Sequence, residues 1–373
     1  MYVRRFFLAF IIFNVRITRI YSDIGVIGLL TMKILSVAIP CYNSAEYMSK
    51  CIESLLPAGD DIEILIVDDG SAKDNTLEIA RDYEAKNPGI VRAIHQENAG
   101  HGGAVNKGIS EATGIYFKNI DSDDWADTGV LLKIIGLLKG FVEKDTRVDL
   151  VLADFVFDKV GVKEQNKKVM RLTKSLPVGK VFGWDDVKKV TSQYIMMHNI
   201  IYRRDVLLES GLKLPEHTFY CDNIYAYQPL PNVKTMYYID EALYRYYIGR
   251  EGQSVSEEAQ LRNIDQQIRV DKIMTDVYAS QDASALGPKL GKYMLSYLTL
   301  MYCATTSILL IGGTDEHLKK LDDLWKYLEL RDPRAYKKIK GSFMGGWMTL
   351  PGKLGRKMSV GGYRIVQKLY KFN

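Results

Sequence analysis

Between residues 34 and 155, short apolar runs alternate with amphipathic stretches, and this alternation constrains the fold of the 373-residue chain more than any other feature. The runs ILSVAI (34–39), IEILIV (62–67), IVRAI (90–94), GIYFKNI (114–120) and VDLVLADF (148–155) have the length and composition of strands. Between them SAEYMSKCIESLL, DNTLEIARDYEAK, GAVNKGISEAT and TGVLLKIIGLLKGF carry apolar residues at helical spacing. Strands that are apolar throughout and separated by helices predict an α/β fold, a mostly parallel sheet covered on both faces. Ligands enter such sheets beyond the carboxyl ends of the strands. The segments at those ends are PCYN (40–43), DDGSAKDNT (68–76), QENAGHGGAVNKG (96–108) and DSDD (121–124), and function is sought there first.

The chain exceeds the roughly 250–300 residues at which single cores stop growing, so a second region is expected. Residues 155–172 read as a hairpin and TFYCDNIYAYQPL (218–230) as a loop opening a helix. VKTMYYID and ALYRYYIG read as two Tyr-rich strands. Three helical patterns run from about Glu257 to Lys326. Tyr, Ser and Thr interrupt the most apolar of them, YMLSYLTLMYCATTSILLI, which favours a buried bundle helix over a membrane span.

Hydrophobic residues at 47% and charged residues at 25% exclude disorder and collagen-like repeats. Four cysteines far apart, with no CxxC pair, suggest neither a zinc cage nor a disulfide framework and fit a reducing cytosol. The N-terminal FFLAFIIF is too short to span a bilayer, and Arg16 and Arg19 follow it without a small-residue cleavage pattern. Residues 1–31 are therefore expected to be an extension, non-native or disordered, ahead of the strand opened by MKILSVAIP. The net charge of +5 hides an asymmetry: residues 331–373 hold eleven Lys or Arg against one acid, Asp332. That tail carries +10, leaving −5 on residues 1–330, and suits an anionic surface.

Two acidic motifs carry the chemistry. In IVDDGS, a carboxylate at a strand end beside a turn-forming glycine either accepts from a nucleobase N–H or braces the turn. In DSDD, positions i and i+2 leaving a strand point the same way, so Asp121 and Asp123 can share a hard cation whose remaining ligands are water and phosphate. Taken alone, such a DxD is more often a turn. The glycines of NAGHGGAVNKG lack the spacing of a P-loop or dinucleotide fingerprint, and are read as letting the backbone pass close to a ligand and start a helix.

In combination, SVAIPCYN, ILIVDDGSAKDNT, NAGHGGAVNKGISEATG and YFKNIDSDDW, in this order over residues 36–125, closely resemble the nucleotide-sugar-binding half of family 2 inverting glycosyltransferases. The resemblance implies a GT-A fold, Rossmann-like, over residues 32–256. A helical accessory region (257–330) and a basic amphipathic tail (331–373) would follow. By resemblance, Pro40, Tyr42, Asn43, Asp68, Asp69, Asn98 and Gly100 line the nucleotide, usually uridine, with Asp69 the most direct base contact. Asp121 and Ser122 would reach the ribose, and Asp121 and Asp123 the metal, Mn²⁺ or Mg²⁺. The general base is expected at Asp222, where Cys221 stands in place of the family's usual Glu. His198, Arg245, Arg250 and Gln253 fall where related enzymes line the acceptor or diphosphate; a structural His and a surface ion pair are the alternatives.

The function expected is transfer of a sugar from a nucleotide-diphosphate donor, UDP-linked, to a glycan or lipid-linked acceptor with inversion, in cell-surface polysaccharide biosynthesis. A nucleotidyltransferase, or a non-catalytic nucleotide-sugar-binding protein, is the competing reading. Lys and Arg interleaved with Tyr, Phe, Leu and Trp347 in the tail predict a cytoplasmic protein held peripherally on the anionic inner face of the cell membrane. No nucleic-acid module accompanies the charge, so nucleic acid is not an expected partner. Homodimerisation is left open.

Overall fold

The computed structural model describes residues 32–370 except 160, 189–192, 249–256 and 282–285, with side chains described as far as residue 365. The expected N-terminal extension, Arg250 and Gln253 lie outside the described residues. In chain order come β1 (Leu35–Cys41), α1 (Met48–Leu55), β2 (Ile62–Asp69), α2 (Thr76–Lys86), β3 (Val91–Gln96), α3 (Gly100–Glu111), β4 (Tyr116–Asn119), β5 (Trp125–Ala126) and α4 (Thr128–Glu143). Then follow β6 (Leu150–Lys159), β7 (Lys168–Met170), β8 (Val181–Phe182), β9 (Ile200–Arg203), α5 (Arg204–Glu209), α6 (Asp222–Tyr227) and β10 (Met236–Ile248). The chain continues through α7 (Glu257–Arg262), α8 (Ile264–Ala279), α9 (Gly287–Gly312), α10 (Asp315–Arg331), α11 (Pro333–Gly341), α12 (Phe343–Met348) and α13 (Gly352–Tyr370).

One sheet runs in the order β3, β2, β1, β4, β9, β6, β10, β5, with β7 on β6 and β8 on β10. Its first half, β3 to β4, is parallel, as strands joined by helices require, and β6 pairs parallel with β10. Beyond β4 the sheet becomes mixed: β9 enters antiparallel between β4 and β6, and β5, β7 and β8 add antiparallel ribbons. The hairpin expected at 155–172 forms, with Phe155 opposite Met170. The two Tyr-rich segments fuse into the single strand β10, because register shifts between Ile239 and Tyr244 absorb the extra residues that separate them.

Every residue of β1, β2 and β4 is buried, which explains why these strands read as continuous apolar runs. Alternate residues feed opposite faces. Ala38 joins a core with Val105 of α3, Ile224 of α6, and Met274, Met294, Leu324 and Ile339 of the helical region. Val37 and Ile39 join the other, with Ile52 of α1 and Leu131 and Ile134 of α4. The C-terminal helices thus share one apolar core with a face of the sheet. Helix α9 is long and apolar enough to cross a membrane, yet 72% of its most apolar window is buried inside the fold.

Candidate active site

The parallel register between β2 and β3 sets Asp68 opposite His95 and Asp69 opposite Gln96. His95 Nδ1 lies 2.7 Å from the buried Asp68 Oδ2, and Ser71 N donates to Asp68 Oδ1 at 3.3 Å. Asp69, also buried, accepts from Gln96 Nε2 (2.7 Å), Ala99 N (2.9 Å) and Gly100 N (2.8 Å), while its carbonyl accepts from Asn98 Nδ2 at 2.9 Å. Asp69, Asn98 and Gly100 therefore form one brace that fixes the start of α3. Three of the roughly four acceptor positions of the Asp69 carboxylate are in use, which leaves room for one donor from a base.

Pro40 is buried in β1 next to Val67, beyond the stretch of β1 that pairs with β4. Tyr42 stands half exposed, at 52%, at the crevice mouth. Asn43 adopts a left-handed φ of 50°, which Asn tolerates better than most residues, and its Oδ1 accepts from Lys73 N at 3.0 Å. Ser44 joins this group to the next: its Oγ lies 2.9 Å from Ser122 Oγ.

The DSDD segment closes as a turn, with Asp124 N donating to the Asp121 carbonyl at 3.0 Å. Its third acid is a clamp. Asp124 is buried and accepts from Tyr244 Oη (2.5 Å) and Tyr247 N (2.7 Å), tying the turn to β10. Burial, with Asp121 and Asp123 adding repulsion, raises the Asp124 carboxyl well above the usual carboxylate range. Asp121 and Asp123 remain half-buried in the crevice.

His101 connects the three loops. Its Nε2 lies 2.9 Å from Asp121 Oδ1 and its Nδ1 lies 3.7 Å from Cys221 Sγ. The loop before Asp222 is pressed onto the same helix start: a Cβ on Gly102 would sit 2.5 Å from the Pro215 carbonyl oxygen and 3.3 Å from Cys221 Sγ. The glycines of this segment do start a helix; Gly108 packs on Ala38, while Gly100 and Gly102 permit a close approach by residues 214–221 of the chain itself. That loop holds two non-glycine residues at positive φ, His217 (48°) and Tyr220 (65°), strain that the surrounding bonds maintain and that clusters at functional sites. Asp222 is the first residue of α6, behind Cys221 at the N-cap, and its Oδ1 accepts from Asn223 Nδ2 at 3.3 Å. Burial raises the Asp222 carboxyl above its ordinary value; His101 opposes this and Asp121 reinforces it. A carboxylate tuned upward is a more effective proton acceptor.

Lys118 escaped notice in the sequence, although a lone Lys within the apolar run YFKNI is a signal in itself. It is buried beneath the DxD turn, donating to the carbonyls of His198 (3.0 Å) and Ile200 (3.1 Å). Burial pulls its pKa down to about 7, with Asp121 opposing. His198 lies next to it, buried among Phe155, Tyr244 and Tyr246, its pKa pushed to about 4 by burial. Its Nδ1 has no hydrogen-bond partner among the described residues. Arg245 is not drawn into this group. Its guanidinium bonds Asp158 at 2.9 Å and Glu164 at 2.5 Å, the ion pairing left open by the sequence.

Among the described residues no group of three or more His, Cys, Asp or Glu is arranged to hold a metal ion by itself. The donors present fit a different kind of site. Among the described residues the bonds to the Asp121 carboxylate, from His101 and from Asn119 Nδ2 (3.2 Å), fall on Oδ1, so Oδ2 suits a hard cation that completes its shell with phosphate oxygens and water.

The sequence profile described as Glycosyl transferase family 2 matches residues 36–211. An uncharacterized glycosyltransferase of Escherichia coli K12, YibD, is 33% identical over 218 residues, covering 57% of this chain and 61% of that protein. The chondroitin synthase of Escherichia coli is 40% identical over 95 residues, covering 25% of this chain and 14% of the synthase. The chain thus spans about three fifths of the length of the first curated relatives it matches, 61% and 60%. Among solved structures, Staphylococcus aureus TarS 1–349 superposes with a TM-score of 0.62 at 17% identity, covering 91% of each chain. The same protein in complex with UDP-GlcNAc gives 0.60 at 18% identity, again covering 91% of each. The fold is that of these GT-A proteins, and residues 36–211 match glycosyl transferase family 2.

Proposed function

We propose that this protein transfers a sugar from a nucleotide-diphosphate donor, a UDP-sugar, to a glycan or lipid-linked acceptor with inversion of the anomeric centre, in surface polysaccharide assembly. The observation that carries the reading is the convergence of Asp121, Asp123, His101 and Asp222 at the carboxyl end of the parallel strands, one Ser44–Ser122 contact away from the Asp68 and Asp69 turn. The UDP-GlcNAc held by TarS supports a uridine donor. Pro40, Tyr42, Asn43, Asp68 and Asp69 then surround the base, with Tyr42 stacking on it, and Asp121 and Ser122 reach the ribose. Asp123 and Asp121 Oδ2 would hold Mn²⁺ or Mg²⁺, which when bound would supply positive charge to the leaving diphosphate.

Asp222 takes the proton from the acceptor hydroxyl. That oxygen forms its bond to the anomeric carbon as the bond to the diphosphate oxygen breaks, and the nucleoside diphosphate leaves with the electron pair. One in-line displacement inverts the centre. His198 and Lys118 stay beneath the site and shape it. The +10 tail supports a position on the cytoplasmic face of the membrane, near a lipid-linked acceptor. Incubation with a panel of UDP-, GDP- and CMP-sugars and Mn²⁺ tests the reading: release of nucleoside diphosphate supports it. Release of pyrophosphate from a nucleoside triphosphate and a sugar phosphate, with none from the sugar donors, overturns it in favour of nucleotidyl transfer.

A further inference from the structure

The last described helix, α13, is packed with its small residues inward and its large ones outward. A Cβ on Gly355 would lie 2.8 Å from the Leu350 side chain, and one on Gly362 would lie 2.6 Å from Trp347 Nε1. Ser359, buried, donates its Oγ to the Trp347 carbonyl at 2.7 Å. This glycine and serine face lets α13 lie directly on α12 and the loop after it, and Arg364 ties the helix to Glu257 of α7 at 2.9 Å.

The large side chains are left outside. Leu354 is 73% exposed, Met358 46% and Ile365 61%. Successive helical residues turn by about 100°, so positions i, i+4 and i+11 fall on one narrow face. A helix that stabilises a soluble fold turns such a stripe toward the core. Lys353 and Lys357, both exposed, fall together on one flank of the stripe. In the preceding α12, Phe343 is 87% exposed, with its ring 6.5 Å from that of Trp347. Helix α11, by contrast, spends its apolar side on the core through Ala335 and Ile339. The apolar part of the basic tail that remains available is therefore narrowed to α13 and the start of α12.

We infer that α13 docks on an anionic phospholipid bilayer through Leu354, Met358 and Ile365, with Lys353 and Lys357 on the headgroup phosphates. Hydrocarbon takes the stripe and the anionic leaflet takes the flank. A second copy of the chain is disfavoured as the occupant, because it would bring the same +10 segment against itself. The surface lies outside the candidate active site, so its test does not depend on turnover.

The test is co-sedimentation of the full chain with vesicles of phosphatidylcholine, alone or mixed with phosphatidylglycerol. The chain is expected to bind the mixed vesicles, less so as salt is raised, and not the neutral ones. Leu354→Ser/Met358→Ser/Ile365→Ser and, separately, Lys353→Glu/Lys357→Glu are each expected to weaken binding by about tenfold or more while melting like the parent. Equal binding to neutral vesicles, or parental binding by both variants, overturns the inference. So does loss of a dimer seen by light scattering in the triple variant with vesicle binding unchanged, which assigns the face to a second copy.

Discussion

His101 Nε2 lies 2.9 Å from Asp121 Oδ1, so a residue in the first turn of the site's main helix also orients the first acid of the DxD pair. A histidine holding a ligand carboxylate from behind acts on the metal without touching it. His101→Ala is expected to lower Mn²⁺ affinity by about 10–100-fold, read from the metal concentration giving half-maximal donor turnover, with UDP affinity at saturating metal changed far less. Equal loss at all metal concentrations would assign His101 a purely structural role.

Asp222 supplies the proton acceptor in this account. Asp222→Asn is expected to lower kcat by about 10²–10⁴-fold while leaving the thermal stabilisation by UDP and Mn²⁺ intact. An unchanged kcat would move the base elsewhere.

Gly102 is where the base's loop rests on α3. An added methyl meets backbone at Pro215, which cannot swing aside as a flexible side chain would. Gly102→Ala is expected to cost about 1–3 kcal/mol in urea unfolding and to depress turnover, whereas Gly136→Ala, with nothing within 4 Å, should do neither.

Asp271 gives a pH signature in the helical region. Fully buried and bonded to Thr305 Oγ1 (2.6 Å) and Gln267 Nε2 (3.0 Å), its carboxyl is pushed up by burial to about 7, with those bonds opposing. The folded state thus holds this proton more tightly than the unfolded chain. The contribution is full below the unfolded value near 3.8 and is lost as pH rises through about 7. Asp271→Asn should match the parent's melting temperature below pH about 4 and exceed it by a few degrees near pH about 8. A pH-independent difference would contradict this.

The strand ends were legible because burial on both faces keeps β1, β2 and β4 largely apolar, so the polar runs at their carboxyl ends stand out. Asp68, Asp69 and Asp121 stand out in this way, and Asp222 through the resemblance. Less visible was what depends on partners distant in sequence. Asp124 clamps to Tyr244 and Tyr247, 120 and 123 positions away, and nothing near it in the chain announces that role. His101 was hidden among glycines that lack the spacing of a phosphate loop, and the close contact that explains Gly100 and Gly102 comes from residues 214–221. Arg245 has the composition of a phosphate contact, and only the fold of β6 and the following loop shows Asp158 and Glu164 waiting for it. The fusion of two strands into β10 depends on a bulge, which leaves no periodic trace.

The central claim is a metal-dependent nucleotide-diphosphate site at the DxD turn, and thermal denaturation of the parent and of Asp123→Asn with UDP, with and without Mn²⁺, tests it most directly. A ligand at 100 times its Kd stabilises by about 2.7 kcal/mol, a readily measured rise. The account predicts that UDP with Mn²⁺ raises the parent's melting temperature well beyond UDP or Mn²⁺ alone, and that Asp123→Asn loses this increment. No shift with UDP, or the same shift in the variant and without metal, would contradict it.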